Sequence, residues 1–316
     1  MKKTFSILFL LSIIASVHAE LNPGNTPDNG FNRSNIQQII KEYDDSFTSP
    51  KGDFKSFEKQ ISGLVHIGIY SIPVTENLIN KYLDTFSEPD RDSVYVMFDY
   101  VFYQAVNEFN DSLDLKYSTL LHKIENKIAD PEINEFKKAL DMCGLTLLVS
   151  EGDYYVDARY DYFSELFKDR VSPALNDYLQ IRRKELKEGF SEDAGLLISF
   201  NQLYERVVTW ENFNTKYPDF FDKTDSQFYY KSYLSTLITG LDNSQPFDDK
   251  TGELIPELKR LYQKIISRDD SLNSTRVIKD YYGFLKASDF KEPKNLDKFL
   301  KVNDLYSMIG VQPETR

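Results

Sequence analysis

Tyrosine and aspartate side chains are concentrated in two short segments of the sequence. The first group is Asp153, Tyr154, Tyr155, Asp157 and Asp161, and the second is Tyr229, Tyr230 and Tyr233. Tyrosine is favoured at protein interfaces because a rigid apolar ring carries a polar hydroxyl. The three aspartates recur at helical spacing, and adjacent tyrosines on a helix cannot both face a core. We therefore predict that the two groups form an acidic, tyrosine-rich binding groove.

Motifs for metal binding and nucleophilic catalysis do not occur in the sequence. Beyond the first nineteen residues the only histidines are His66 and His122, and only His122 has an acid, Glu125, one helical turn away. The chain contains no His-Glu-x-x-His, no Gly-x-Ser-x-Gly and no glycine-rich phosphate loop. We accordingly predict no catalytic residues, no metal ligands and no cofactor.

Carboxylates leave one catalytic alternative open. Two acids flanking a sugar bond are in principle sufficient for glycoside cleavage, and the chain has 50 acidic residues. Sugar subsites are usually lined by aromatic rings, and Trp210 is the only tryptophan. A carbohydrate-active enzyme of the periplasm is therefore the alternative function, with no particular pair of acids singled out.

The charge of the chain constrains its partners. With 38 basic and 50 acidic residues, the formal net charge is −12 at pH 7. Binding to nucleic acid depends on lysine and arginine neutralising phosphates, so this composition argues against nucleic acid and favours a cationic partner. The basic run Arg182 to Lys187 is interpreted as a solvated helix end. Cys143 is the only cysteine and lies on an apolar stripe, which predicts a buried thiol.

The first residues have the pattern of a cleavable secretory signal peptide. Lys2 and Lys3 precede an apolar stretch from Phe5 to Val17, and Ala19 lies at the expected cleavage site. Residues 1–19 are therefore predicted to be a leader, residues 20–33 a flexible tether, and the product periplasmic or secreted. Nothing after the leader resembles a membrane-spanning segment.

Apolar residues recur at steps of three and four along most of the chain, which indicates amphipathic helices. Capping residues spaced about twenty residues apart predict helix starts and suggest antiparallel neighbours. These predicted caps are Asp111, Asp130, Asp153, Ser172 and Ser191.

We therefore predict an all-α fold for residues 34–308, as an irregular helical-hairpin repeat, an α-solenoid-like array of about a dozen helices. A compact multi-helix bundle is the second choice and a closed ring of paired helices the third. A sub-boundary is suggested near residues 212–225, where proline and polar residues interrupt the pattern, and residues 309–316 read as a polar tail.

The resulting functional hypothesis is an exported, monomeric, non-catalytic protein-binding module. An adaptor or an immunity-type neutraliser holding another protein in the acidic groove would fit it. A secreted colonisation or assembly factor is a further alternative.

Overall fold

The protein is mostly helical. The computed structural model describes residues 30–47, 53–268 and 270–307. Helices account for 68% of the structure and strands for 8%, which confirms the predicted all-α fold class. The predicted leader, residues 1–19, and the predicted tail, residues 309–316, lie outside the described residues. The choice among hairpin array, bundle and ring stays a prediction.

The chain divides into two compact units, residues 1–176 (unit 1) and residues 177–316 (unit 2). The division lies upstream of residues 212–225, where the sequence suggests a boundary. That stretch contains the end of one helix, a short turn and the start of the next helix. The two helices that it joins pack against each other within unit 2.

Unit 1 is a set of helices with one β-hairpin near its C-terminal end. Its elements are α1 (Arg33–Ser46), α2 (Phe54–Ser62), a 3-10 segment (Gly63–Tyr70), α3 (Ser71–Tyr82), a 3-10 turn (Leu83–Thr85), α4 (Glu88–Glu125), α5 (Pro131–Met142), β1 (Leu145–Ser150), β2 (Asp153–Ala158), α6 (Tyr162–Leu166) and the start of α7 (Pro173–Glu188).

Helix α4, 38 residues long, organises unit 1 because one of its faces is apolar. It contacts α2, α3, α5, β2 and the 3-10 segment. Its buried side chains recur every three or four residues, which places them on a single stripe. Among the buried residues are Val94, Phe98, Val101, Phe102, Ala105, Phe109 and Leu113.

Two of the five predicted helix caps are confirmed. The Asp130 side chain accepts from the Glu132 N–H ahead of α5, and the Ser172 hydroxyl accepts from the Leu175 N–H in α7. The other three are wrong, because Asp111 lies inside α4 and both Asp153 and Ser191 begin strands. Any short polar side chain at about the right spacing satisfies the sequence pattern of a cap, so local pattern alone did not separate these cases.

The end of the predicted tether belongs to the fold. Phe31 is 7% exposed and its ring centroid lies 5.2 Å from that of Phe109 and 6.0 Å from that of Phe136. The Asn32 side chain accepts from the Asn35 N–H and caps α1. Residues 20–29 lie outside the described part of the chain.

Unit 2 is built mainly from helices. It contains most of α7, a two-residue strand pair β3 (Ser191–Glu192) and β4 (Gly195–Leu196), α8 (Phe200–Lys216), α9 (Lys223–Thr239), α10 (Pro256–Ile266), α11 (Asn273–Ala287) and α12 (Leu296–Val302). Helix α8 starts with a capping box, in which Ser199 and Gln202 each bond the other's backbone N–H.

Candidate functional site

The first tyrosine group lies in a β-hairpin, and residues with positive φ form the turn before β1 and the loop between β1 and β2. Gly144 has φ +66° and ends the turn after α5, and a Cβ placed there would lie 2.2 Å from the ring of Tyr162. Glu151 and Gly152 have φ +52° and +95°, the signs required by a type I′ two-residue hairpin loop. The helical reading of Asp153, Asp157 and Asp161 is therefore wrong.

The register of the hairpin assigns each predicted residue to a face. Leu147 lies opposite Val156, and Leu148 lies opposite Tyr155. Successive side chains alternate between the two faces of a strand. Val156 is buried, so its face is the inner one and Tyr154 belongs to it. The opposite face carries Leu148, Asp153, Tyr155 and Asp157, and we refer to these four residues as the outer hairpin face.

The outer hairpin face is only partly buried. Asp153 is exposed, Leu148 is 36% exposed, and Tyr155 and Asp157 are half-buried. Burial raises the pKa of the Asp157 carboxyl above its ordinary value, although the Ala158 N–H donates to it. Four residues of the first group thus share one strand, with Tyr154 directed to the other face.

Asp161 differs from the other aspartates of the first group because it forms an ion pair with Arg159. It follows β2 and accepts from the Arg159 guanidinium at 2.7 Å, and the same guanidinium also contacts Asp141 at 2.7 Å. The Asp161 carboxylate is therefore ion-paired within the protein. This residue does not extend the outer hairpin face.

Asn110 of α4 holds the hairpin against unit 1. Its side-chain amide donates to the Val156 carbonyl at 2.9 Å, and its side-chain oxygen accepts from the Val156 N–H at 2.8 Å. The side chain therefore makes the two bonds that a neighbouring strand would make to β2. Through Asn110, the outward backbone groups of Val156 are bonded without a third strand.

The second tyrosine group is directed into unit 2. Tyr233 is 4% exposed, and Tyr229 and Tyr230 are half-buried. The ring of Tyr229 stacks on Trp210 with centroids 4.9 Å apart, and the Tyr230 hydroxyl accepts from Asn273. Burial raises the pKa of Tyr230 to about 12. The prediction that Tyr233 lines an open groove is wrong, because its apolar ring is used in packing between helices.

The Tyr233 hydroxyl donates to a buried ionic cluster centred on Glu185. The Glu185 carboxylate, 4% exposed, accepts from Trp210 Nε1 at 2.7 Å, from Arg182 Nη1 at 2.9 Å and from the Tyr233 hydroxyl at 3.0 Å. The Arg206 guanidinium, also in this region, lies over the Tyr233 ring and donates to the Glu188 carboxylate and the Gly189 carbonyl. We call Arg182, Glu185, Arg206, Trp210 and Tyr233 the Glu185 cluster.

Burial dominates the electrostatics of the Glu185 cluster. It raises the pKa of the Glu185 carboxyl, against the opposing effect of Arg182 and Arg206. Arg182 lies 4.1 Å from the centre of the Tyr229 ring, a cation–π geometry. The interpretation of Arg182 to Lys187 as a solvated helix end is wrong for Arg182 and Glu185. Their spacing of three, which allows an ion pair on a helix, was the only signal in the sequence.

Two further carboxyls whose pKa values are raised by burial have their own hydrogen-bond donors. Glu76 accepts from the Tyr162 hydroxyl at 2.6 Å, and Asp92 accepts from the Ser172 N–H at 2.8 Å. Trp210, the one tryptophan considered for sugar stacking, is fully buried. These positions do not favour the carbohydrate alternative.

Histidine and cysteine side chains have local structural contacts. The His66 ring contacts the Gly63 carbonyl and the Tyr43 hydroxyl, and the His122 ring contacts the Asn126 amide. Cys143 is buried as expected, and burial raises the pKa of its thiol. Among residues 30–47, 53–268 and 270–307, no group of three or more His, Cys, Asp or Glu side chains is arranged to hold a metal ion. In the same ranges, no helix has the length and apolarity needed to cross a membrane.

Comparison with known proteins gives no assignment. No family model, no curated protein and no solved structure matches the chain.

Proposed function

We propose that this protein is a non-catalytic protein-binding module and that the outer hairpin face is its contact surface. The observation that carries the proposal is the grouping of Leu148, Asp153, Tyr155 and Asp157 on one face of a hairpin. The hydroxyl of Tyr155 has no hydrogen-bond partner among the described residues. An aromatic ring with a free polar end, beside carboxylates and an apolar side chain, suits contact with a cationic protein surface.

The predicted leader supports export, and we propose that the binding takes place in the periplasm or outside the cell. An adaptor and an immunity-type neutraliser are both compatible with such a surface. Buried Trp210 and the separately bonded carboxyls give the carbohydrate-active alternative no particular support.

Affinity capture tests the proposal. Tagged residues 20–316 are incubated with the envelope fraction of the source cells at low and moderate salt, and bound proteins are identified by mass spectrometry. The test variant carries Asp153→Asn with Tyr155→Ala. The matched control carries Asp111→Asn with Tyr100→Ala, which changes the same residue types at exposed positions of α4.

We expect one recurrent partner that the wild type and the control retain and that the test variant loses. A partner retained equally by the test variant would overturn the assignment of the surface. The absence of any partner enriched over an untagged sample would overturn the binding function itself.

A further inference from the structure

The two edges of the hairpin differ in their hydrogen bonding. In a two-residue hairpin, Ser150 and Asp153 exchange backbone bonds, so bonded pairs alternate with non-bonded pairs along the register. The Arg159 N–H donates to the Gly144 carbonyl at 2.8 Å, and these two residues form a pair that this alternation predicts to be bonded. It follows that Leu147 and Val149 direct their N–H and C=O groups away from β2. None of the described hydrogen bonds beyond the hairpin uses these groups.

Strand β1 contacts α5, and its edge lacks three of the features that protect an exposed strand. Native edge strands are blunted by charged side chains, proline or bulges. The β1 sequence Leu-Thr-Leu-Leu-Val-Ser has no charge and no proline, and its pairing with β2 is continuous. Exposure increases along the strand from 3% at Leu145 to 59% at Val149. On the opposite edge, the Asn110 side chain bonds the outward N–H and C=O of Val156.

From this asymmetry we propose that the β1 edge binds an extended segment of a cationic partner protein, which adds a strand beside β1. The inference rests on the proposed protein-binding function and specifies its mode. Main-chain groups of Leu147 and Val149 supply the backbone bonds, and apolar residues at alternate positions of the segment contact the side chains of Leu147 and Val149, which share one face of the hairpin. Exposed Glu151 and Asp153 at the hairpin tip favour lysine or arginine in the part of the segment next to them.

Proline substitution tests the backbone bonds specifically. Val149→Pro removes an outward N–H and no hairpin bond, and proline is tolerated on an edge strand at such a position. Val149→Thr is the matched control, because it keeps the N–H and a β-branched side chain. The probe is a short peptide of alternating valine and lysine, compared with its valine–glutamate counterpart, and binding is followed by backbone amide NMR.

We expect the valine–lysine peptide to protect the Leu147 and Val149 amides from hydrogen exchange and to leave the already bonded Thr146 and Leu148 amides unchanged. Val149→Pro should weaken binding roughly 5- to 10-fold and Val149→Thr less than twofold, consistent with the loss of one backbone bond and a steric conflict. The valine–glutamate peptide should bind more weakly than the valine–lysine peptide.

Three results would overturn the inference. Equal binding by Val149→Pro and Val149→Thr would show that backbone pairing is not used. Equal binding of the two peptides would exclude a preference for a cationic segment. Concentration-dependent self-association in sedimentation, abolished by Val149→Pro, would make a second copy of this chain the occupant. If the peptide fails while affinity capture still depends on Asp153 and Tyr155, the proposed function stands and only the strand-addition mode fails.

Discussion

The hairpin of unit 1 and the Glu185 cluster of unit 2 place polar groups under very different conditions. Around Glu185 the carboxylate is buried and receives bonds from Trp210, Arg182 and Tyr233. In the hairpin, Asn110 bonds the outward N–H and C=O of Val156 on one edge, whereas the other edge offers backbone groups beside exposed apolar side chains. A buried carboxylate with several donors holds helices together, and a strand edge with free groups is available to a partner.

Because of this difference, we propose different roles for the two tyrosine groups, which are similar in sequence. Tyr233 donates its hydroxyl to a buried acid and is structural. Tyr155 lies half-buried on a strand face with its hydroxyl unbonded. We therefore expect substitutions in the Glu185 cluster to affect stability most, and substitutions on the outer hairpin face to affect binding most.

Loss of the Glu185 carboxylate should have the largest effect. Glu185→Ala leaves Arg182 and Arg206 buried without this counterion, which should cost about 3–5 kcal/mol in the free energy of unfolding of unit 2. Urea unfolding followed by Trp210 fluorescence measures it, because this single tryptophan lies in the cluster.

Lys184→Ala is the control, since its side chain on the same helix is 66% exposed. It should change the free energy of unfolding by less than about 0.5 kcal/mol. Similar midpoints for the two variants would contradict the account of the cluster as a structural centre.

Loss of the Asn110 side chain should have the next largest effect. Asn110→Ala leaves the Val156 N–H and C=O without partners at a buried position, at a cost of about 2 kcal/mol. Asn107→Ala, at an exposed position of the same helix, makes the same change in helix propensity without removing these bonds. Amide exchange at Val156 should accelerate only in Asn110→Ala. Equal acceleration in both variants would mean that Asn110 does not hold the β2 edge.

Neutralising Asp157 should have a smaller effect, and it should stabilise the protein at neutral pH. Its pKa is raised in the folded protein, so the folded state binds the proton more tightly than the unfolded state. The contribution of Asp157 to stability is therefore most favourable below the ordinary pKa of 3.8 and is lost as the pH rises through the raised value. Asp157→Asn has no carboxyl to ionise and should be slightly more stable than the wild type at pH 7. This difference in stability should vanish below the ordinary pKa.

Thermal unfolding at several pH values measures the effect of Asp157→Asn. Asp153→Asn, at an exposed position of the same face, is the control and should leave stability within about 0.5 kcal/mol. A destabilised Asp157→Asn at neutral pH would show that the carboxylate has a stabilising partner.

The helix content was predictable because apolar residues recur at steps of three and four over long stretches, a pattern that depends only on residues close together in the sequence. The hairpin was missed because Asp153 and Asp157 are separated by four residues, an even spacing that suits both a strand face and a helix face. The Glu151-Gly152 pair, between two runs rich in β-branched and aromatic residues, was the signal that could have separated the two readings.

The Glu185 cluster was beyond sequence reasoning for a different physical reason. A charged side chain becomes buried only when partners compensate it. For Glu185 those partners include Trp210 and Tyr233, which come from later helices. No local pattern around residues 182–187 records where these later helices pack. The binding role of the hairpin residues therefore stays a prediction, whereas Tyr233 was assigned to the wrong environment.

Amide hydrogen exchange of the free protein tests the central claim most directly, because it reports each hairpin edge separately. We predict slow exchange at Val156, whose N–H donates to Asn110, slow exchange at the paired amides of Thr146 and Leu148, and fast exchange at Leu147 and Val149. Protection of Leu147 and Val149 as strong as that of Val156 would contradict the account, since the β1 edge would then already be covered and closed to a partner strand.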